Sequence, residues 1–186
     1  MTSINYVGYH GTDSTRVASI QANNFNSSQN KNDWLGYGVY FFIDGIGCPL
    51  ENACEWAINQ AYHKGSYIYD EYSVLKTNIE CLKVLDVTEK EGNKVFHILK
   101  KVMIDKNPNI FDRYRDTSED NRLIWNFISK QMDLDVVINS LFIKHKEERR
   151  KKIQLNVPNS LVLCVKKREL IDSDKLELVE EKRKVK

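Results

Sequence analysis

Two short stretches carry the most informative motifs of the chain: residues 6–12 read Tyr-Val-Gly-Tyr-His-Gly-Thr, and residues 35–42 read Leu-Gly-Tyr-Gly-Val-Tyr-Phe-Phe. Both combine aromatic and β-branched residues, which favour strands, with glycines, which permit tight turns and close approach. We therefore predict one strand that ends near Gly11 and a second that begins after Gly38. Each stretch is common when taken separately. Their order and spacing, with a helix and a polar loop between them, are more specific.

The strongest helix signal lies directly after the second stretch. Pro49 suits the first helical position, and apolar residues then recur at helical spacing from position 50 to position 61. We expect this helix to end near Gly65. A shorter helix, capped by Thr12, Asp13 or Ser14, is expected to close near residue 25, followed by a polar loop over residues 23–33.

The rest of the chain alternates between strand and helix patterns. Residues 74–87 favour one or two strands, residues 95–103 and 122–132 favour helices, and residues 136–143 form an apolar run. Residues 153–157 and 160–165 are predicted as two late strands. Strands at both ends with helices between them favour an α+β fold over a regular parallel βαβ array.

Length and composition limit the functional classes. A chain of 186 residues suits one domain, which we assign to residues 1–172, with residues 173–186 as a charged, frayed C-terminal tail. The formal net charge of +2 is too small to indicate nucleic-acid or membrane binding by bulk electrostatics. The N-terminus lacks a secretory pattern, and no run of 18 apolar residues occurs, so we expect a cytoplasmic protein with no membrane association.

Together the two stretches resemble the ADP-ribosyltransferase superfamily, on its diphtheria-toxin and poly(ADP-ribose) polymerase side. Members carry a strand ending His-Gly-Thr/Ser, then Gly-x-Gly-Ile/Val-Tyr-Phe, then a third catalytic strand. The resemblance covers residues 6 to about 61, roughly a third of the chain. It implies an ADP-ribosyltransferase-like split β-sheet core with flanking helices. It also implies NAD as co-substrate and no metal, because the nicotinamide leaving group of NAD is already cationic.

The resemblance assigns roles to particular residues. His10 would hydrogen-bond the 2′-hydroxyl of the adenosine-side ribose. The backbone of Gly11 would grip the nicotinamide amide, since a residue without Cβ lets a ligand approach, and Thr12 would add a hydroxyl. Tyr40 would pack against the nicotinamide-ribose part as an aromatic wall. Trp56 is a second stacking aromatic in this scheme, or else a residue that covers the edge of the core.

The third catalytic position has two candidates. Many relatives carry Glu or Gln there, which reaches the ribose hydroxyls. Val162 fits the usual spacing best, and a hydrophobic residue at this position is similar to members that transfer a single ADP-ribose or have lost activity. Gln154 requires another register on the strand at residues 153–157. Its side chain has the hydrogen-bonding groups that Val162 lacks, so spacing favours one residue and chemistry the other.

A dense charge run at residues 144–152 precedes these candidates. In the family the corresponding segment often faces the acceptor, so a basic loop there favours an acidic protein face or a nucleic acid. The alternative is an ordinary solvated loop.

The preferred hypothesis is an NAD-dependent mono-ADP-ribosyltransferase that passes ADP-ribose to a macromolecule, either protein or nucleic acid. Small size and the resemblance suit a bacterial or phage toxin or defence effector, for which an inhibitor or antitoxin protein is a natural partner. One alternative is a catalytically silent module that binds NAD or ADP-ribose. An NAD glycohydrolase and an RNA 2′-phosphotransferase-like enzyme are others. The last needs several arginines in the cleft, and Arg16 alone lies near the first two motifs.

Overall fold

Nine strands form one large sheet and one small hairpin in the computed structural model, which describes residues 2–31, 33–111 and 116–186. The hairpin consists of β3 (Tyr62–His63) and β4 (Ser66–Tyr67). The strands of the large sheet are β1 (Ile4–Asp13), β2 (Val39–Ile43), β5 (Glu71–Cys81), β6 (Val84–Asp86), β7 (Val136–Leu141), β8 (Ser160–Val165) and β9 (Glu177–Lys184).

Five α-helices flank the sheet within the described residues: α1 (Val17–Asn23), α2 (Pro49–Ala61), α3 (Lys90–Lys106), α4 (Thr117–Met132) and α5 (Lys146–Arg150). Helix α4 is capped at its start by a side chain. The carboxylate of Asp116 accepts a hydrogen bond from the Glu119 N–H at the start of α4, at 2.8 Å. The helix predicted after the second motif is α2, with Pro49 at its start and its end at Ala61.

The large sheet has the strand order β6-β7-β8-β2-β1-β5-β9. Neighbouring strands are antiparallel except β6 and β7, which run parallel. Helices α3 and α4 lie between β6 and β7 in the chain, which supplies the crossover that a parallel pair needs. The result is a mixed sheet with flanking helices, in agreement with the α+β expectation and not with a regular parallel array.

Each face of the sheet carries its own hydrophobic cluster. We call them the α2 face, covered by α2 and α4, and the Phe41 face, covered by α1. Side chains alternate between the two faces along each strand. On β2, Tyr40 and Phe42 belong to the α2 face, while Val39, Phe41 and Ile43 belong to the Phe41 face.

The charged C-terminal end is not a frayed tail. Residues 177–184 form β9, which pairs antiparallel with β5 at the edge of the sheet. An edge strand tolerates many charged side chains, because one of its sides and one of its faces meet water. Lys76 and Lys184 extend this contact by ion pairs with Glu177 and Glu71.

The late strand predicted at residues 153–157 is also wrong, whereas the strand at 160–165 is confirmed as β8. Ile153, Leu155 and Val157 remain 38%, 52% and 68% exposed in an irregular segment. Their alternation is a strand pattern, but β8 already has β2 and β7 as its two neighbours. No edge is therefore free beside it.

The charge run at 144–152 contains the short helix α5, which rests on α2. Arg149 forms an ion pair with Glu55 at 3.0 Å, and the Lys146 N–H donates to the same carboxylate at 2.6 Å. Part of the basic charge is thus held by the fold and is not free for an acceptor. Of the helices described, none combines the length and the apolar character that crossing a bilayer requires.

Candidate active site

The two sequence motifs meet at a seam in the middle of the sheet. Strand β1 pairs with β5 over ten residues, and β2 pairs with β8 over five. Between β1 and β2, however, the described register contains one pair, Tyr9 with Phe42. The sheet therefore consists of two well-paired halves with a short junction. Beyond that pair, toward residues 10–12 of β1 and 39–41 of β2, the structure describes no further backbone pair between these two strands, and we call this the separated region of the sheet.

His10 bridges the seam with its side chain. Its Nδ1 lies 2.8 Å from the backbone oxygen of Tyr40. A carbonyl oxygen accepts hydrogen bonds only, so Nδ1 must carry a proton. Burial lowers the pKa of His10 below 6.5, and the charge of Arg16 acts in the same direction against the Tyr40 hydrogen bond, so the ring is neutral at pH 7. Nε2 is then a hydrogen-bond acceptor.

The Nε2 atom of His10 is the chemically available end of this ring. It hydrogen-bonds to no residue that the structure describes, and it is not fully enclosed by protein. The ring itself packs edge-on against Phe25 at 4.9 Å and lies 5.7 Å from Phe41, between centroids. It is held from two sides, with one acceptor left for a hydroxyl donor.

Tyr40 points to the other face of the sheet. Its hydroxyl donates to the Gly36 carbonyl at 2.6 Å and accepts from the Leu35 N–H at 2.9 Å. Burial raises its pKa, so the phenol stays protonated. The structure thus joins His10 and Tyr40 through the backbone but places their rings on opposite faces of the sheet, which contradicts the expectation that both side chains face one NAD cleft. Since Tyr9 pairs with Phe42, Tyr40 shares the α2 face with Tyr9, and His10 lies on the Phe41 face.

Gly11 and Thr12 are both buried at the start of the separated region. A Cβ atom on Gly11 would lie 2.0 Å from the carbonyl oxygen of Ala53, so α2 covers this glycine directly. The glycine is therefore required by the approach of a helix, and not by the approach of a ligand alone. Thr12 is covered as well, opposite Ser73 of β5.

Trp56 lies on the same face as Tyr40. It packs against the cluster of the α2 face and meets Trp34 edge-on, with 5.0 Å between ring centroids. Trp34 begins the segment that folds over Tyr40. Lys166 holds this segment through the carbonyls of Leu35 and Tyr37. The two indoles therefore form a fixed aromatic edge near Tyr40.

The two candidates for the third catalytic position lie in different surroundings. Val162 is on β8, opposite Phe42 on β2 and Asn139 on β7, and is only 2% exposed. Gln154 is exposed in the irregular segment after α5, where its Oε1 accepts from the Lys144 ammonium at 3.0 Å. The strand that Gln154 required does not form, so the structure does not bring Gln154 to the seam.

Two polar groups near the seam were not predicted. Asp33 is 8% exposed, with Oδ1 accepting from the Ser28 hydroxyl at 2.7 Å and Oδ2 buried without a described partner. Burial raises the pKa of this carboxyl. Asn139 lies beside Val162 on the α2 face. Neither has a local sequence signal, because Asp33 sits in a polar loop and the position of Asn139 depends on strand order.

A cavity of about 380 Å³ adjoins this face, between α3, α4, β7 and Trp34. Its lining combines aromatic rings with three asparagines and His97, none of which belongs to the two sequence motifs. Within the described ranges, no group of three or more His, Cys, Asp or Glu residues is arranged to hold a metal ion.

The buried neutral state of His10 predicts a pH-dependent stability. In the unfolded chain His10 takes up a proton near pH 6.5, whereas the folded ring resists it. The stability that the neutral His10 ring gives to the folded protein is therefore fully present above pH 6.5. It is lost as the pH falls from 6.5 toward the lower pKa of His10 in the folded protein. We expect the free energy of unfolding to decrease below pH 6.5 by up to about 1.4 kcal/mol per pH unit from this group.

Urea unfolding at pH 7.5, 6.5 and 5.5 measures this effect. His10→Asn removes the titrating ring, so the variant should lose that part of the slope. His63→Asn, at an exposed position in the hairpin, is the matched control and should keep it. An unchanged slope in His10→Asn would contradict the assignment of a neutral buried ring.

Comparison with known proteins gives a limited result. No family model matches the sequence, and no curated protein matches it. Among solved structures, a chain from the crystal structure of the M. tuberculosis MbcT–MbcA toxin–antitoxin complex is similar, with a TM-score of 0.45 and 10% sequence identity. The match covers 96% of this chain and 83% of the other. Similarity at this level establishes neither a family nor an activity.

Proposed function

We propose that this protein is an NAD-dependent mono-ADP-ribosyltransferase, which cleaves the bond between nicotinamide and ribose and transfers ADP-ribose to a macromolecule. The observation that carries the proposal is the seam. There the strand that contains His-Gly-Thr lies next to the strand that carries Val-Tyr after Gly-x-Gly, and the hydrogen bond from His10 to the Tyr40 carbonyl joins the two strands. These are the segments that resemble NAD-binding motifs, and the fold joins them across 30 positions of sequence.

Cleavage of the nicotinamide–ribose bond requires mainly that the protein position NAD. Nicotinamide leaves NAD as a neutral molecule from a cationic precursor, so departure needs no strong acid. The protein must hold the dinucleotide while positive charge develops on the ribose. In our proposal a ribose hydroxyl donates to Nε2 of His10 on the Phe41 face. The side chains of Tyr40, Trp34 and Trp56 lie on the opposite α2 face and take no part in this contact. Nδ1, bound to the Tyr40 carbonyl, fixes the ring for that contact.

The residue at the third catalytic position bears on how many ADP-ribose units are transferred, and Val162 favours transfer of a single unit. If Val162 occupies it, no side chain of β8 hydrogen-bonds the ribose at this point, and chain elongation loses the group that would align a second ADP-ribose. A role as toxin or defence effector, with a protein inhibitor as partner, belongs to the same proposal. It is supported by the sequence resemblance.

A second candidate is a module that binds NAD or ADP-ribose without turnover. Two observations favour it: Val162 is buried and apolar, and both hydrogen-bonding directions of the Tyr40 hydroxyl that the structure shows are already used by residues 35 and 36. The seam is common to both candidates, so chemistry distinguishes them.

Incubation with NAD labelled in the adenylate part, with and without cell lysate, tests the proposal. We expect release of nicotinamide together with label on protein or nucleic acid. Free labelled ADP-ribose without lysate-dependent transfer would identify a glycohydrolase. Calorimetric binding of NAD without nicotinamide release would identify the silent module. If the protein neither binds NAD nor releases nicotinamide from it, the assignment of an NAD site is overturned.

A further inference from the structure

The cavity beside the α2 face has aromatic walls that are held in place by other rings. Trp34 rests edge-on against Trp56 at 5.0 Å, and Phe96 lies against Trp125 at 4.7 Å, between centroids. Trp125 is only 3% exposed. Rings fixed in this way lose little conformational entropy when a flat ligand stacks on them. The walls therefore favour a planar ligand.

Three carboxamides supply the polar groups of the cavity. Asn121 of α4 and Asn139 of β7 line it, and their side chains make no hydrogen bond to any part of the chain that the structure describes. Asn93 of α3 uses Nδ2 to donate to the Val87 carbonyl at 3.3 Å, which leaves its Oδ1 available. Each carboxamide offers both a donor and an acceptor. A ligand edge that alternates donors and acceptors would satisfy them.

The lining favours a neutral ligand. None of the described residues around the cavity is Asp, Glu, Lys or Arg. A phosphate or a carboxylate would lose its hydration without gaining an opposite charge. The volume of about 380 Å³ is near the lower end of small-molecule pockets, which span about 300–1,000 Å³. The ligand is therefore small, flat and uncharged, with hydrogen-bonding groups around its edge.

We propose that this cavity binds a nucleobase. Purines and pyrimidines stack on aromatic side chains, and asparagine pairs with their edges through two hydrogen bonds. The proposal goes beyond the NAD site at the seam and does not require NAD turnover, because it concerns binding by residues of α3, α4 and β7.

The position of the cavity relates it to the seam. Asn139 pairs with Val162, Val162 with Phe42, and Phe42 with Tyr9, which forms one row across four strands. Three strand spacings of about 4.8 Å place the backbone at Asn139 about 14 Å from the backbone at Tyr9. The base could therefore belong to NAD itself or to a second, nucleotide substrate that approaches the same face.

The proposal is tested by titrating the whole protein with adenosine, guanosine, cytidine and uridine. Binding is measured by tryptophan fluorescence and by calorimetry. We expect at least one nucleoside to bind with a Kd below about 1 mM. Asn139→Ala should weaken that affinity about fivefold or more, and Trp34→Leu about tenfold or more. Asn156→Ala, on the exposed segment outside the cavity, is the matched control and should leave the affinity unchanged.

Competition with NAD identifies the source of the base. If NAD displaces the nucleoside, the cavity holds a base of the dinucleotide. If both bind together, it holds a separate nucleotide substrate. Both results support a nucleobase site. Absence of nucleoside binding, equally tight binding of free ribose or glucose, or unchanged affinity in folded Asn139→Ala and Trp34→Leu would each overturn it. Since these readouts need no catalysis, failure here is distinct from failure of the transferase proposal.

Discussion

Replacing Gly11 with alanine should lower the free energy of unfolding by about 3 kcal/mol or more. The new Cβ would lie 2.0 Å from the carbonyl oxygen of Ala53 and 3.0 Å from the Cβ of Ala57. The first obstacle is backbone in the middle of α2, so no side-chain rotation relieves it. Either α2 moves away from β1 or the strand bends, and both separate the buried alanines of α2 from the sheet.

Urea unfolding monitored by tryptophan fluorescence measures this loss, with soluble yield as a second readout. Val7→Thr is the matched control, because it changes an exposed, β-branched position of the same strand. It should alter stability by no more than about 0.5 kcal/mol. If Gly11→Ala proved equally mild, the close packing of α2 on β1 would be wrong. The glycine would then have to be explained by a ligand.

The sequence predicted α2 and the two motif strands because their signals are local. Apolar residues at helical spacing, a proline at the start of α2 and β-branched runs in β1 and β2 do not depend on the rest of the chain. The strand predicted at residues 153–157 shows the limit of such signals. Its alternation of apolar and polar residues is typical of a strand, but a strand needs a neighbouring strand to pair with. Both sides of β8 are already paired, with β2 and β7.

Strand β9 escaped prediction for the opposite reason. Residues 177–184 are mostly charged, which is typical of a solvated tail, yet edge strands accept such composition. Only Leu178 and Val179 add apolar contacts to the clusters of the sheet. Backbone pairing with β5 provides the rest of the contact, and backbone pairing leaves no trace in composition.

The faces of His10 and Tyr40 depend on register, which the motifs do not encode. The pair Tyr9–Phe42 places Tyr40 with Tyr9, and so places His10 on the opposite face. A shift of β2 by one residue would have put both rings on one face. The cavity has the same origin: Asn93, Asn121 and Asn139 come from three elements that only the folded chain brings together.

Within the site, His10→Asn should lower NAD consumption about 100-fold or more, the largest loss that we expect from a single side-chain change there. The amide of asparagine can reach the Tyr40 carbonyl in place of Nδ1, so the seam keeps its hydrogen bond. The asparagine side chain has no hydrogen-bond acceptor at the position of Nε2, to which the ribose hydroxyl donates in our proposal. The ribose would then be free to move away from the reactive geometry.

His10→Gln reverses this pattern and isolates the role of Nε2. The longer side chain can place its Oε1 near the position of Nε2, but its amide then has no donor at the position of Nδ1, so the hydrogen bond to the Tyr40 carbonyl is lost. We expect it to recover at least about a tenth of wild-type activity. A simple packing role for His10 predicts the contrary order, because asparagine and glutamine would then reduce activity in parallel with stability.

Nicotinamide release measured at several NAD concentrations, beside thermal unfolding of each variant, decides between these roles. His63→Asn makes the same chemical change at an exposed site and should keep wild-type kinetics. Wild-type kcat/KM in a folded His10→Asn protein would exclude the imidazole from the reaction. The seam would then be a structural junction, since His10 would serve only to join β1 to the backbone of β2.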